Sequence, residues 1–211
     1  MPRQVEDVEE IESGTTTLGL TIGSGVILAA DKRATIGNMK ASKEAQKVFQ
    51  IDDSIGMTIA GSVGDAQKLV RFVRAEIKKR KLETKELTVK GVATLLANVL
   101  QESKMMPFMN QFVMGGVDKD GKKVYDLDPL GGLMEQKKFT ATGSGSPTAY
   151  GVLEDSYEEG MSIDEGVEIA VRAIQAASER DIASGDGIDV VKITSAGFER
   201  VDSDTVEEHL D

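Results

Sequence analysis

The sequence predicts an α+β domain in which two β-sheets carry two layers of helices. Strand-length apolar runs follow the first 14 residues, return in the middle of the chain and come back near its end, and segments with helical periodicity separate them. Turn residues join neighbouring strand-like runs, which is typical of antiparallel hairpins. The chain has 211 residues and contains no internal repeat or linker, so we expect these blocks to form one domain.

The first part of the chain is predicted to be β-structure. Residues 15–22 and 25–32 are apolar runs on either side of Gly23-Ser24-Gly25, a turn sequence that favours an antiparallel pair. Two further strands are predicted at 47–51 and 55–61.

Helical spacing starts at Val63. Apolar residues recur every three or four positions from Val63 to Ile77, and the basic run 78–81 suits the negative end of a helix dipole. A second helix is predicted at 89–104, ahead of Pro107. Four nearby methionines are interpreted as core filling: Met105, Met106, Met109 and Met114.

The second half of the chain again places strands before helices. Strand-forming runs on either side of Asp118-Lys119-Asp120-Gly121 predict a hairpin. The capping box Ser162-x-x-Glu165 marks the start of a long helix that ends near Arg180. The predicted elements are strands at 111–117, 122–127 and 137–142, helices at 147–157 and 162–180, and a final strand at 188–194.

The composition excludes several classes of enzyme and partner. There is no cysteine and the single histidine, His209, lies in the charged C-terminal tail, so thiol catalysis, Cys/His metal sites and Ser-His-Asp triads lack their residues. We expect no metal or other cofactor. The net charge of −11 argues against nucleic acid or an anionic membrane as a partner. An acidic start and the lack of any long apolar run predict a cytoplasmic protein without a membrane span or secretory signal.

The sequence Gly14-Thr15-Thr16-Thr17 is the most informative chemical feature. A threonine hydroxyl is a poor nucleophile without a base beside it, but hydrolysis of the Gly14–Thr15 bond frees an α-amine on the same residue. That amine, with a pKa of about 7.7 to 8.0 in model compounds, suits proton transfer near neutral pH. We therefore predict that residues 1–14 are a leader removed by the chain itself and that residues 15–211 form the active domain. Taken alone, residues 15–17 favour a simple strand start, since threonine forms strands well.

Further short motifs accompany this threonine in a fixed order. They are Gly14-Thr15-Thr16-Thr17, Asp31-Lys32-Arg33, Lys47, Gly61-Ser62-Val63-Gly64-Asp65, Gly143-Ser144-Gly145-Ser146-Pro147 and Arg180-Asp181 followed by Ser184-Gly185. Together they resemble the archaeal 20S proteasome β subunits, and the resemblance extends from about residue 14 to residue 200.

That family implies an N-terminal-nucleophile hydrolase fold, a four-layer αββα sandwich with two antiparallel sheets between helix layers. It also implies an autocatalytic threonine protease, in which Thr15 resembles the nucleophile and its freed α-amine the proton acceptor. A lysine near the hydroxyl stabilises the forming alkoxide, and an aspartate keeps that lysine charged. By resemblance, Asp31 and Lys47 form this pair, the Gly61 N–H is the oxyanion donor, and Ser144, Asp181 and Ser184 surround the amine.

The resemblance also implies a substrate pocket and an assembly. The pocket residues are all apolar, which favours cleavage after large hydrophobic residues. Family members form homoheptameric β rings, two of which stack between rings of α subunits, and a regulatory AAA+ ATPase feeds them unfolded protein. We expect the same partners here. The pocket residues are Ala34, Ala45, Phe49, Ile59 and Val63.

Three other functions stay open on the sequence alone. A two-ring bacterial peptidase of the same fold also begins with two threonines, although the loop at 143–147 fits the 20S type better. A serine–lysine hydrolase that uses Ser144 with Lys47 would keep its leader. A catalytically idle structural subunit of the barrel is the third, but the joint presence of Thr15, Asp31 and Lys47 argues against it.

Overall fold

The computed structural model describes residues 14–36, 39–83 and 87–210, which form twelve strands and five helices. The strands are β1 Thr17–Ile22, β2 Gly25–Asp31, β3 Ala34–Ile36, β4 Met39–Ser42, β5 Val48–Asp52, β6 Ile55–Gly61, β7 Asn110–Asp118, β8 Gly121–Leu127, β9 Leu133–Gln136, β10 Phe139–Thr142, β11 Ile188–Thr194 and β12 Gly197–Arg200. The helices are α1 Val63–Leu82, α2 Val89–Glu102, α3 Ser146–Ser156, α4 Ile163–Arg180 and α5 Ser203–Glu208. None of these helices is long and apolar enough to cross a membrane.

Two five-stranded antiparallel sheets form the centre of the domain. One has the strand order β10-β1-β2-β11-β12 and the other β5-β6-β7-β8-β9, while β3 and β4 form a separate hairpin. Helices α3 and α4 pack on the first sheet, and α1 and α2 pack on the second. The predicted α+β sandwich, with two antiparallel sheets between helix layers, is therefore confirmed.

Alternation along β1 shows how the sequence specifies these layers. Leu18, Leu20 and Ile22 are fully buried in the apolar layer formed with α3 and α4. Burial of one such side chain stabilises the fold by about 1.5–3 kcal/mol. Gly19 faces the second sheet, where a Cβ would lie only 2.6 Å from Val113 Cγ1. Glycine thus allows the two sheets to approach closely at this point.

The long elements lie within a few residues of their predicted positions, but five short ones were not predicted. The missed elements are three to six residues long. The clearest case is β4, which is exposed along its whole length and so has no apolar alternation to indicate a strand. The missed elements are β3, β4, β9, β12 and α5.

The interpretation of the methionines as core filling is wrong for three of the four. Met114 on β7 is fully buried, but Met105, Met106 and Met109 are 88%, 87% and 55% exposed. The reason is that α2 ends at Glu102, before these residues, so they lie in the connection to β7 instead of on the buried face of a helix.

Candidate active site

Thr15 lies just before β1, at the end of the sandwich where connections from both sheets meet. The residue is buried, with 3% of its surface exposed. Its Oγ1 hydroxyl donates to the carbonyl oxygen of Gly14 at 2.7 Å, so the hydroxyl lies against the peptide bond that the sequence predicts to be cut. Its backbone N–H donates to Ser144 Oγ at 3.2 Å.

A buried ion pair lies at the same end of the sandwich. Lys47 Nζ donates to Asp31 Oδ1 at 2.7 Å, and the two side chains are 8% and 0% exposed. The Asp31 carboxylate also accepts the backbone N–H groups of Thr16, Arg33 and Gly185 at 2.9, 3.1 and 2.9 Å. Burial lowers the pKa of Lys47, and the attraction of Asp31 opposes that change. The pair therefore fixes an ammonium group inside the domain.

Gly61 ends β6 in the second sheet with its N–H directed out of the ladder. The Ile59 N–H donates to the Lys47 carbonyl oxygen, and alternation places the Gly61 N–H on the same edge, beyond the start of β5. Gly61 has φ +125°, and a Cβ there would lie 2.0 Å from the carbonyl oxygen of Met109. Only glycine fits this backbone, because any side chain would overlap the Met109 carbonyl oxygen.

Asp181 joins two serines into one hydrogen-bonded group. Ser144 Oγ and Ser184 Oγ each donate to Asp181 Oδ2 at 2.6 Å. Ser184 Oγ also lies 2.7 Å from Thr16 Oγ1. Asp181 caps the C-terminus of α4, so the end of this helix sets the position of the group. Ser144 can accept the Thr15 N–H while it donates to Asp181.

Two glycines allow the loop after β10 to pass close to the threonines. A Cβ on Gly143 would lie 1.9 Å from the Thr15 carbonyl oxygen, and one on Gly145 would lie 2.0 Å from Thr16 Oγ1. Gly143 also has φ +91°, a conformation that other residues rarely adopt. The serine between them can therefore reach the Thr15 nitrogen.

A cavity of about 400 Å³ opens beside Thr15. Lys47 and Gly61 are part of its wall, and most of the other lining side chains are apolar. Five further lining residues were not predicted: Ala41 and Ser42 on β4, Gln46 just before β5, and Ala66 and Gln67 on α1. All of the predicted pocket residues lie in the wall: Ala34, Ala45, Phe49, Ile59 and Val63.

The sequence pattern described as Proteasome subunit matches residues 11–193, a range that contains every motif placed around Thr15. The chain belongs to the proteasome subunit family. It is 54% identical over 199 residues to a protein named Proteasome subunit beta from Methanohalophilus mahii, covering 94% of this chain and 95% of that relative. A relative of the same name from Methanosarcina mazei is 51% identical over 201 residues, covering 95% and 96% of the two chains. Another, from Methanocaldococcus jannaschii, is 50% identical over 204 residues, covering 96% and 91%.

This proteasome subunit has the layer order that its family implies. Helices α3 and α4, the first sheet, the second sheet, and helices α1 and α2 follow one another as the αββα layers of the N-terminal-nucleophile hydrolase fold. The predicted resemblance to archaeal β subunits is confirmed, because archaeal proteins named Proteasome subunit beta align with this chain over nearly their full length.

The structure also adds polar residues to the site of this proteasome subunit that the sequence analysis did not assign. Arg33 Nε donates to Asp186 Oδ2 at 2.6 Å, and its Nη1 donates to the Ile182 carbonyl oxygen at 2.7 Å. These bonds attach the turn after α4 to the end of β2. Gln111 Oε1, from the second sheet, accepts the Gly143 N–H at 3.2 Å. Arg33 lies inside the motif Asp31-Lys32-Arg33 and could have been assigned to the site from the sequence. Gln111 and Asp186 lie outside all of the motifs and carry no such signal.

Proposed function

We propose that this proteasome β subunit is a threonine endopeptidase that creates its own active site by cutting the Gly14–Thr15 bond. The observation that supports this best is the 2.7 Å hydrogen bond from Thr15 Oγ1 to the Gly14 carbonyl oxygen. The carbon to be attacked is directly bonded to that oxygen, so the nucleophile is already beside it. The buried Asp31–Lys47 pair supplies a fixed positive charge in the wall of the same cavity.

Self-cleavage proceeds through an ester. Thr15 Oγ1 attacks the Gly14 carbonyl carbon to form a five-membered ring, and the hydroxyl proton passes to the Thr15 nitrogen as the C–N bond breaks, which leaves Gly14 joined to Oγ1 as an ester. Water then hydrolyses the ester, which leaves a carboxylate on Gly14 and both a free amine and a hydroxyl on Thr15. The leader of residues 1–14 departs, and its residues 1–13 lie outside the described part of the chain. The active domain then comprises residues 15–211.

The same groups hydrolyse peptide bonds in other chains. The freed α-amine takes the hydroxyl proton while Oγ1 attacks the substrate carbonyl, and it later returns a proton to the leaving amine. Lys47 stabilises the alkoxide, and the Gly61 N–H donates to the oxyanion, a contribution of about 3 kcal/mol. Water hydrolyses the resulting acyl-enzyme. Ser144, Asp181 and Ser184 orient the amine through their shared hydrogen bonds.

The apolar cavity supports cleavage after large hydrophobic residues. Phe49, Ile59 and Val63 lie in its wall, so an apolar substrate side chain is favoured there over a charged one. Lys47 is in the wall too, and its ammonium group donates to Asp31. The positive charge of Lys47 disfavours a basic substrate side chain in the cavity.

The proposed setting is the core particle of a proteasome. The relatives' name, Proteasome subunit beta, supports assembly with α subunits, and we extend it to two stacked homoheptameric β rings between α rings. A regulatory AAA+ ATPase would deliver unfolded protein through the α rings. The cytoplasmic location predicted from the sequence is part of this proposal.

The intact mass of the chain in its assembled complex tests the proposal. The full-length chain is co-expressed with its α subunit, and the particle is isolated before mass measurement. A chain that has lost residues 1–14 supports self-cleavage, and the Thr15→Ala variant should then keep its leader and lose peptidase activity. Full-length wild-type chain in complete particles would contradict the proposal.

Adduct mapping separates the threonine mechanism from the serine–lysine alternative. Ser144 is bonded to Asp181 and Thr15, while Lys47 is bonded to Asp31, so the arrangement favours Thr15 as the nucleophile. An electrophilic inhibitor should therefore label Thr15. An adduct on Ser144 would overturn the assignment.

A further inference from the structure

The residues at positions 14 and 183 compete for the same space. A Cβ built on Gly14 would lie 1.7 Å from Ala183 Cβ and 3.1 Å from Ala183 Cα. It would also lie 3.0 Å from Ser144 Oγ. Non-bonded carbon atoms are normally about 3.5–4.0 Å apart, so any side chain at position 14 requires the backbone around it to move.

We propose that Ala183 determines which residue can precede the nucleophile. Its methyl group fills the volume that a side chain at position 14 would need, and this restricts the self-cleaved bond to a Gly-Thr sequence. The inference rests on the proposed function, because it names the residue that sets the specificity of the self-cleavage step.

Ala183 is held firmly on both sides. Its own N–H donates to Asp181 Oδ1 at 3.2 Å, and the N–H of Ser184 donates to the Asp181 carbonyl oxygen at 3.1 Å. On the other side, Arg33 Nη1 holds the carbonyl oxygen of Ile182 at 2.7 Å. Displacing the Ala183 methyl would therefore disturb the group that surrounds the Thr15 nitrogen.

The carbonyl group of residue 14 is also held in place. The Gly14 carbonyl oxygen accepts the Thr15 hydroxyl at 2.7 Å, and the Thr15 N–H is bonded to Ser144 at 3.2 Å. A shift of the Gly14 carbonyl would turn it away from the hydroxyl, whereas rotation about the Cα–C bond of residue 14 alone would redirect the leader that precedes it. A misplacement of about 1 Å between reacting groups can slow a reaction about a hundredfold.

The steric restriction at position 14 is separate from the choice of substrate. Gly14 itself lines the cavity beside Thr15, but the atoms nearest to a Cβ built on it belong to Ala183 and Ser144, not to cavity side chains such as Phe49 and Ile59. The restriction at position 14 therefore comes from Ala183 and not from the side chains proposed to hold the substrate.

The test follows self-cleavage in full-length chains assembled with the α subunit, with intact mass measured at successive times after assembly. Gly14→Ala should slow the appearance of chains that begin at Thr15 by about a hundredfold. The double variant Gly14→Ala/Ala183→Gly should recover most of the wild-type cleavage rate. The matched control is Gly14→Ala/Ile182→Gly, which loosens the same turn but removes a side chain that is 85% exposed, and it should stay slow.

Each outcome decides the inference. Cleavage of Gly14→Ala at the wild-type rate would overturn it, as would equal recovery in the Ile182→Gly control. A double variant that assembles into particles but stays as slow as Gly14→Ala would also overturn it; because only assembled chains are measured, misfolded molecules do not enter the result. Wild-type chain that keeps its leader in complete particles would instead contradict the proposed function itself.

Discussion

Asp31 is the most heavily bonded side chain of the site, with one lysine and three backbone N–H groups on its two oxygens. We expect Asp31→Asn to lower the free energy of unfolding by about 3–5 kcal/mol, because the Lys47 ammonium is left buried without its partner. Peptide hydrolysis should fall by about a hundredfold or more, as it does when an oxyanion donor is removed. Urea unfolding and a peptidase assay on assembled particles measure the two effects.

The matched control for this change is Glu199→Gln, which breaks an exposed ion pair with Lys192. Glu199 is 67% exposed, so its loss should change the unfolding free energy by less than about 1 kcal/mol. If the two variants lost similar amounts of unfolding free energy, burial of the Asp31–Lys47 pair would not add to its contribution to stability.

Asp186 provides a prediction about acid stability. Hydrogen bonding to Arg33 lowers the pKa of Asp186 from 3.8 to about 2, so the folded state favours the carboxylate. Its contribution to stability is full above about pH 4 and is lost as the pH falls toward 2. We therefore expect the urea midpoint of the wild type to fall more steeply between pH 4 and pH 2 than that of Asp186→Asn.

Asp120→Asn, in the exposed turn between β7 and β8, is the control and should follow the wild-type curve. If Asp186→Asn and the wild type lose stability in parallel, the bond from Arg33 does not favour the carboxylate.

At the scale of single residues, the sequence predicted the groups whose chemistry is distinctive. Thr15, Asp31 and Lys47 could be selected because they lie in recognisable motifs. Ala183 could not, since a methyl group has no chemical signature and its effect depends on its distance from position 14. Gln111 was missed for a similar reason, because its bond to the loop after β10 crosses between the two sheets.

At the scale of elements, α4 is the helix on which the site depends most directly, since Asp181 is its C-cap. Its N-terminus is fixed by a capping box between Ser162 and Glu165. We expect Ser162→Ala to lower the free energy of unfolding by about 1 kcal/mol. Ser203→Ala is the control and should have little effect, because Ser203 is an exposed first-turn residue of α5 and the cap of that helix is Asp202. Equal losses of unfolding free energy in urea for the two variants would contradict the role of the capping box.

The cavity beside Thr15, proposed to hold the substrate, is built between elements, with β3 to β6 on some sides and α1 on another. Peptides with leucine, phenylalanine or tyrosine before the cleaved bond should be hydrolysed at least about tenfold faster than the matching arginine peptide, because the wall is mostly apolar. The ratio of kcat/KM values for peptides that differ only at that position measures this preference. Equal values would show that this cavity does not hold the side chain before the cleaved bond.

The elements that were predicted and those that were missed differ in how much they bury. Helices α1 and α4 each bury an apolar face and start at a capping serine, so periodicity and caps both indicate them. Strand β4 buries none of its residues and is held by pairing to β3, a contact between segments that sequence periodicity does not record. Its residues Ala41 and Ser42 in the cavity were missed for that reason.

At the scale of the whole molecule, the spacing of the two sheets depends on small residues where they face each other. We expect Gly19→Ala to lower the free energy of unfolding by about 1–3 kcal/mol, because its Cβ overlaps Val113 Cγ1 in a packed interior. Val113→Ala in the same chain should make Gly19→Ala less costly, which a double-mutant cycle in urea unfolding measures.

Gly151→Ala is the matched control for Gly19. This residue lies within α3, and a Cβ there would meet nothing within 4 Å, so the change should be neutral or stabilising by up to about 1 kcal/mol. A Gly19→Ala variant as stable as Gly151→Ala would show that the sheets can separate at little cost.

The position of Thr15 between the two sheets has a consequence for how the molecule can be monitored. Ser144 follows the first sheet's β10, Gly61 ends the second sheet's β6, and Thr58 Oγ1 of that strand donates to Thr17 Oγ1 of β1 at 2.9 Å. A chain in which the sheets have not come together possesses the threonine but not its surroundings. If the chain cuts itself as proposed, hydrolysis of the leader is irreversible in practice, and a new terminus at Thr15 shows that the molecule once completed its fold. The fraction of chains beginning at Thr15 would count such molecules even after they had been denatured for measurement.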